Sequence, residues 1–120
     1  MRKDSILVEK SMDFAIRAVN LYKYLTEQKR EYVISKQMLR CATSIGANVR
    51  EAIYAQSRKD FVGKLSIALK ETSETEYWLE LLHRTDYLNA EHYKSIGDDC
   101  SEIERILTAS VKSSKLSNEP

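Results

Sequence analysis

The chain has 120 residues, a formal net charge of +1 and 42% hydrophobic residues, which is one domain with enough apolar content for a core of its own. Three glycines and a single proline, the terminal Pro120, are too few for the turns of an all-β domain and leave no helix interrupted. Cys41 and Cys100 stand alone, without the spacing of a zinc or redox motif, and read as small buried hydrophobes of a reducing compartment.

The first helix is expected from about Ser5, a potential N-cap, to about Lys29. Met12, Ala15, Val19 and Tyr22 recur at spacings of 3 and 4, with Ile16 and Leu25 alongside. The second is expected from Lys36 to Ala55 with Ser35 as N-cap. Its seam is Met38, Ala42, Ile45, Val49 and Ala52. The third follows Ser57, whose run to Asp60 is a variant capping box, and continues to about Tyr87. Its stripe is Phe61, Leu65, Ala68, Thr72, Thr75, Leu79 and Leu82. The fourth follows Asn89, with Tyr93, Ile96, Cys100, Ile103, Leu107 and Ser110 as its stripe. Short connections make neighbours antiparallel, so the chain reads as all-α, an up-down-up-down four-helix bundle over residues 1–112. A polar tail, 113–120, reads as disordered. The N-terminus lacks the apolar run of a signal peptide, and no window approaches the ~18 apolar residues of a membrane span, so a cytoplasmic protein without a membrane partner is expected.

Two helices carry more than one seam needs. On the third, Ile67, Trp78 and Leu81 lie about 100° from the main stripe, beside Glu71 and Glu74. Either the helix touches two neighbours inside the bundle, or this face is a subunit interface rich in the residues such interfaces favour. On the second, Cys41, Ser44, Asn48, Glu51 and Ala55 form a line beside the seam. With Glu74 opposite, Ser44, Asn48 and Glu51 read as a polar network that fixes helix register, or else as a binding site.

The run Ser44-Ile45-Gly46-Ala47-Asn48-Val49-Arg50-Glu51-Ala52 resembles the "SIxxNIxEG" signature of the four-helix bundle proteins encoded in 23S rRNA intervening sequences. Ser57, Lys59, Asp60 and Phe61, then Ile67-Ala68, Glu74 and Leu79, resemble that family's next block. The resemblance extends over most of residues 12–110, and its specific part is 44–79. Gly46 and Ala52 depart from it, where proline and glycine are common. It implies an up-down-up-down bundle and a ring-shaped homo-oligomer, a pentamer. A related group, the accessory protein of diversity-generating retroelements, is a pentameric barrel that binds nucleic acid and a reverse transcriptase. The family name records where some of its genes sit and assigns no ribosome binding.

Catalytic constellations are missing from the sequence. His83 and His92 pair with no nucleophile in a recognisable motif. Glu80-Leu81-Leu82-His83 has the Glu-x-x-His spacing of di-iron bundles, but the second copy such sites need is absent. The reading is therefore a non-enzyme with no metal and no cofactor, acting by binding.

Charge gives that reading its content. Residues 1–70 carry a net +7 and residues 71–120 a net −6. Lys3, Lys10 and Arg17 recur every seven residues on the first helix, Lys36, Arg40 and Arg50 share a face of the second, and Arg58, Lys59 and Lys64 open the third. In a monomer these are scattered surface charges. In a ring, Lys10, Arg17, Lys36, Arg40 and Arg50 would repeat as a basic belt for RNA or DNA. The alternative is a protein–protein scaffold in which the basic half of one subunit meets the acidic half of the next.

Overall fold

The structure, a computed structural model, describes the backbone of residues 2–116 and the side chains of residues 6–115. Four helices follow one another: α1 (Arg2–Glu27), α2 (Ile34–Ile53), α3 (Arg58–Arg84) and α4 (Ala90–Leu116). α1 packs on α2, α2 on α3, α3 on α4 and α4 on α1, and among the described residues no Cα atoms of diagonally opposed helices come within 8 Å of each other. The result is the expected up-down-up-down bundle, 53 Å long and 21 Å across in both other directions.

Three of the four apolar stripes fall where periodicity places them. Met38, Ala42, Ile45, Val49 and Ala52 of α2 are buried, as are Leu65, Ala68, Leu79 and Leu82 of α3 and Ile96, Cys100, Ile103 and Leu107 of α4. Thr72 and Thr75 reach the same core because their hydroxyls donate to Leu69 and Glu71 carbonyls of their own helix, at 2.6 and 2.7 Å.

α1 is the exception. Its core residues are Leu7, Ser11, Phe14, Ala18 and Leu25, whereas Met12, Ile16 and Val19 are 44%, 53% and 38% exposed. Both sets repeat at 3 and 4, so helical spacing by itself does not choose between them. The larger, Phe14-centred stripe faces the bundle, and the Met12 stripe is left rotated by roughly 130°. Gly46 of α2 lies against Ser11 of α1, where a Cβ would stand 3.4 Å from the Ser11 carbonyl oxygen, an ordinary contact distance.

The helix ends show how local chemistry sets the frame. Ser57 caps α3, accepting from the Asp60 N–H at 3.0 Å, and Asn89 caps α4, accepting from the His92 N–H at 2.8 Å. Two expected caps are different. α1 starts at Arg2, so Ser5 lies inside it. α2 starts at Ile34 after an N-cap, Val33, whose side chain caps nothing. The Glu31 carboxylate takes that role instead, accepting from the N–H groups of Val33, Ile34 and Ser35 at 3.0, 2.8 and 2.6 Å. Burial alone would raise the Glu31 carboxyl, but these hydrogen bonds outweigh it and hold it below its ordinary value.

α1, α2 and α3 each stop two or three residues short of the expected ends, at Glu27, Ile53 and Arg84. Arg30 (φ 55°) and Asp86 (φ 69°) adopt the left-handed conformation after α1 and α3. Beyond Asp86, the N–H groups of Tyr87 and Leu88 return to the Leu82 carbonyl. α4 continues through Ser113 to Leu116, into the segment expected to be a tail, and residues 117–120 lie outside those described.

Candidate nucleic-acid and subunit-binding surfaces

Lys10, Arg17, Lys36, Arg40 and Arg50 split into two groups. Lys10 and Arg17 of α1 face α4. Lys10 Nζ lies 3.2 Å from Glu102 Oε1, and the Arg17 guanidinium donates to Asp99 Oδ2 at 2.7 Å and to Ser95 Oγ at 2.8 Å. Lys10 and Arg17, seven residues apart on α1, therefore meet Glu102 and Asp99 of α4 within one chain.

Lys36, Arg40 and Arg50 of α2 are exposed and make no ion pair among the described residues. They sit on the side of α2 opposite its core, strung over about 21 Å of helix, with Thr43 and Ala47 between them. Tyr54, 79% exposed, stands on the same side at the helix end. The first acid of α2 is Glu51, which is spoken for by Lys64 of α3 at 3.1 Å. An outward helix face with cations and no free acid holds a positive potential that a polyanion can use.

On either side of this face lies an apolar surface. Towards α1, Met12, Ile16 and Val19 stand beside a shallow groove of about 150 Å³ formed with Thr43, Gly46 and Ala47, with Arg50 at its edge. Towards α3, Ile67 is 43% and Tyr77 59% exposed, while Trp78 and Leu81 are half-buried. Trp78 packs partly on the core and meets the Tyr77 ring edge-on, with centroids 4.9 Å apart. Trp78 thus reaches the core between its neighbours, while Ile67 remains exposed.

Ser44, Asn48, Glu51 and Glu74 do not join into one network. The Ser44 hydroxyl donates to the Arg40 carbonyl and the Asn48 amide to the Ser44 carbonyl, both within α2. Only Glu51, through Lys64, and Glu74, through Cys41, link α2 to α3. The Cys41 thiol donates to Glu74 Oε2 at 3.5 Å, and donor atoms of Cys41, Glu71 and Glu74 lie within 4.8 Å of one another. Burial, the Glu74 hydrogen bond and the two carboxylates push the Cys41 thiol up to about 12. Burial and the neighbouring Glu74 raise the Glu71 carboxyl. This crowding was not legible in the sequence, because it requires the α2–α3 register to bring Cys41 between Glu71 and Glu74.

His83 is half-buried, its Nδ1 2.8 Å from the Leu88 carbonyl and its ring stacked on Tyr93 at 4.5 Å, so it braces the α3–α4 corner. Cys100 is buried and its thiol donates to the Thr72 carbonyl at 3.6 Å. Among the described residues no helix is long and apolar enough to cross a membrane.

Residues 3–109 match the family of the 23S rRNA-intervening sequence protein. The chain belongs to that family. Its fold is similar to the crystal structure of a protein of unknown function from the S23 ribosomal protein family of Bacteroides thetaiotaomicron. The two are 57% identical with a TM-score of 0.91, over 92% of this chain and 98% of the other. No curated protein matches the chain. For this member of the 23S rRNA-intervening sequence family, the α2 signature run contributes to two different surfaces: Ser44, Asn48 and Glu51 towards α3, Arg50 outward.

Proposed function

We propose that this protein is a non-enzymatic, homo-oligomeric nucleic-acid binder whose contact surface is the outward face of α2. The observation that carries the reading is the placement of Lys36, Arg40 and Arg50, three exposed cations without an acidic partner among the described residues, on one helix face between two apolar surfaces. Cations of this kind neutralise phosphates and release counterions, which gives binding that depends little on base sequence and strongly on salt. Tyr54 adds a ring on which an unpaired base stacks. Lys10 and Arg17, which the sequence offered equally, are engaged with Glu102 and Asp99 and contribute less.

The test is a titration of a structured RNA and a single-stranded DNA against the full chain at several salt concentrations. Affinity falling steeply with salt, and lost in a Lys36→Gln, Arg40→Gln, Arg50→Gln triple variant of unchanged helicity, supports the reading. Equal loss in a Lys10→Gln, Arg17→Gln variant would move the surface to α1. Absence of binding at low salt would overturn the reading and leave a protein–protein scaffold as the function of the apolar faces.

A further inference from the structure

The seam between α2 and α3 treats its charges differently at two levels. At one level Glu51 of α2 is met by a cation of α3, Lys64, at 3.1 Å. About 15 Å away along both helices, the same antiparallel register sets Cys41 opposite Glu74, with Glu71 one turn back on α3. Neither carboxylate makes an ion pair among the described residues. Three electron-pair donors from two helices converge there, and no ion pair offsets them.

The geometry suits a metal ion. The donor atoms of the three side chains lie within 4.8 Å of one another. Cys41 Sγ and Glu74 Oε2 are 3.5 Å apart, close to the roughly 3.6 Å edge of a tetrahedron with a ~2.3 Å metal–sulfur and a ~2.1 Å metal–oxygen bond. The about 1 Å left to close is within the reach of a glutamate side-chain rotation. Cys41 is 6% exposed with its thiol turned on the carboxylates, Glu71 is half-buried and Glu74 exposed, so the site has a dry floor and an open rim. The Trp78 indole N–H lies beside the sulfur and favours its anionic form, as outer N–H groups do around metal-bound ligands. A sulfur donor selects Zn²⁺ and its first-row neighbours over Mg²⁺ and Ca²⁺, which take oxygen shells. Three protein ligands and an open rim leave a fourth position for water.

We infer that Cys41, Glu71 and Glu74 form a binding site for a divalent cation of the Zn²⁺ class, which clamps α2 to α3 beside Trp78. On binding, a metal–sulfur bond replaces the Cys41 S–H bond, the proton passes to solvent at the rim, and both carboxylates bind in their ionised form. No oxidation state changes. The sequence reading expected no metal because spacing motifs report ligands that are close in the chain, whereas Cys41 comes from another helix than the two glutamates. The site is independent of the nucleic-acid reading, since none of its ligands belongs to the cationic face of α2.

Cobalt(II) is the probe, because its thiolate complexes absorb in the near ultraviolet and its tetrahedral ones in the visible. The reduced full chain, stripped with a chelator, is titrated with Co²⁺ and then with Zn²⁺. The site predicts one Co²⁺ bound per chain with a thiolate charge-transfer band, bleaching of that band by Zn²⁺, and a Tm that rises with Zn²⁺. Cys41→Ser abolishes the band, Glu71→Gln and Glu74→Gln each weaken Co²⁺ binding by about tenfold or more, and Cys100→Ser changes neither. Circular dichroism checks the helicity of each variant, and the two Glu variants decide the matter should Cys41→Ser not fold. Absence of the band in the parent chain, a band that survives Cys41→Ser, or an affinity unchanged in both Glu variants would overturn the inference.

Discussion

Arg17 of α1 donates to Asp99 of α4 at 2.7 Å, and Lys10 lies 3.2 Å from Glu102 one step further along the same pair of helices. The excess of cations in the first part of the chain and of acids in the second is thus met, in part, within a single bundle. Lys36, Arg40 and Arg50 of α2 make no such pair among the described residues. Each pair is a third to a half exposed, so its net worth is at most about 1 kcal/mol. A double-mutant cycle on Arg17 and Asp99 should give a coupling of roughly 0.5 kcal/mol that shrinks in high salt. Urea denaturation at two ionic strengths would measure it.

The exchange of stripes on α1 has a direct consequence. Phe14 is 2% exposed and Ile16 53%. Phe14→Ala should destabilise the fold by about 3–5 kcal/mol through lost burial and a residual cavity. Ile16→Ala should leave the stability of an isolated bundle within about 0.5 kcal/mol. Chemical denaturation of the two variants, with mass measured in parallel, distinguishes a core residue from one that acts between copies.

Glu31 holds the start of α2 through three backbone N–H groups. Its carboxyl is depressed in the folded state, so the stabilisation is complete above the unfolded value of about 4.3 and is lost as pH falls below it towards the folded value. Glu31→Gln should cost about 2 kcal/mol at neutral pH and flatten the loss of stability on acidification. Thermal unfolding of both proteins between neutral and acid pH would show it.

Glu71 has the opposite sign. Burial and Glu74 raise its carboxyl, so the charged form opposes folding at neutral pH, and protonation relieves this as pH falls through the folded value. Glu71→Gln should therefore leave an isolated chain as stable as before, or more so. Urea denaturation of the variant and the parent chain at neutral and at acid pH would show it.

Cys41 is 6% exposed and Cys100 fully buried. Burial pushes both thiols above their ordinary value, Cys41 to about 12, so almost no thiolate exists at neutral pH. A maleimide should label the native protein slowly and the unfolded protein fully. Rapid labelling of the native chain at pH 7 would contradict the packing of α2 on α3.

Much of the architecture was legible because it is written in local chemistry. The seams of α2, α3 and α4 follow from 3-and-4 spacing, and Ser57 and Asn89 mark helix starts because their side-chain oxygens serve the first free N–H groups. Where the signal is local but unconventional, reading fails. The α2 cap is a glutamate upstream of the helix rather than Ser35, and the connections after α1 and α3 use Arg30 and Asp86 in the left-handed region, where a glycine would have announced the end. Which α1 stripe enters the core, which cations meet an acid, and how close Cys41 comes to Glu71 and Glu74 depend on the rotation and register of each helix against its neighbours. Those quantities are set by all four helices packing at once. The sequence by itself determined the helices, their order and the surplus of apolar and basic faces, since each is a property of one segment. The tertiary structure alone decided which of those faces remain open and that both apolar ones adjoin α2.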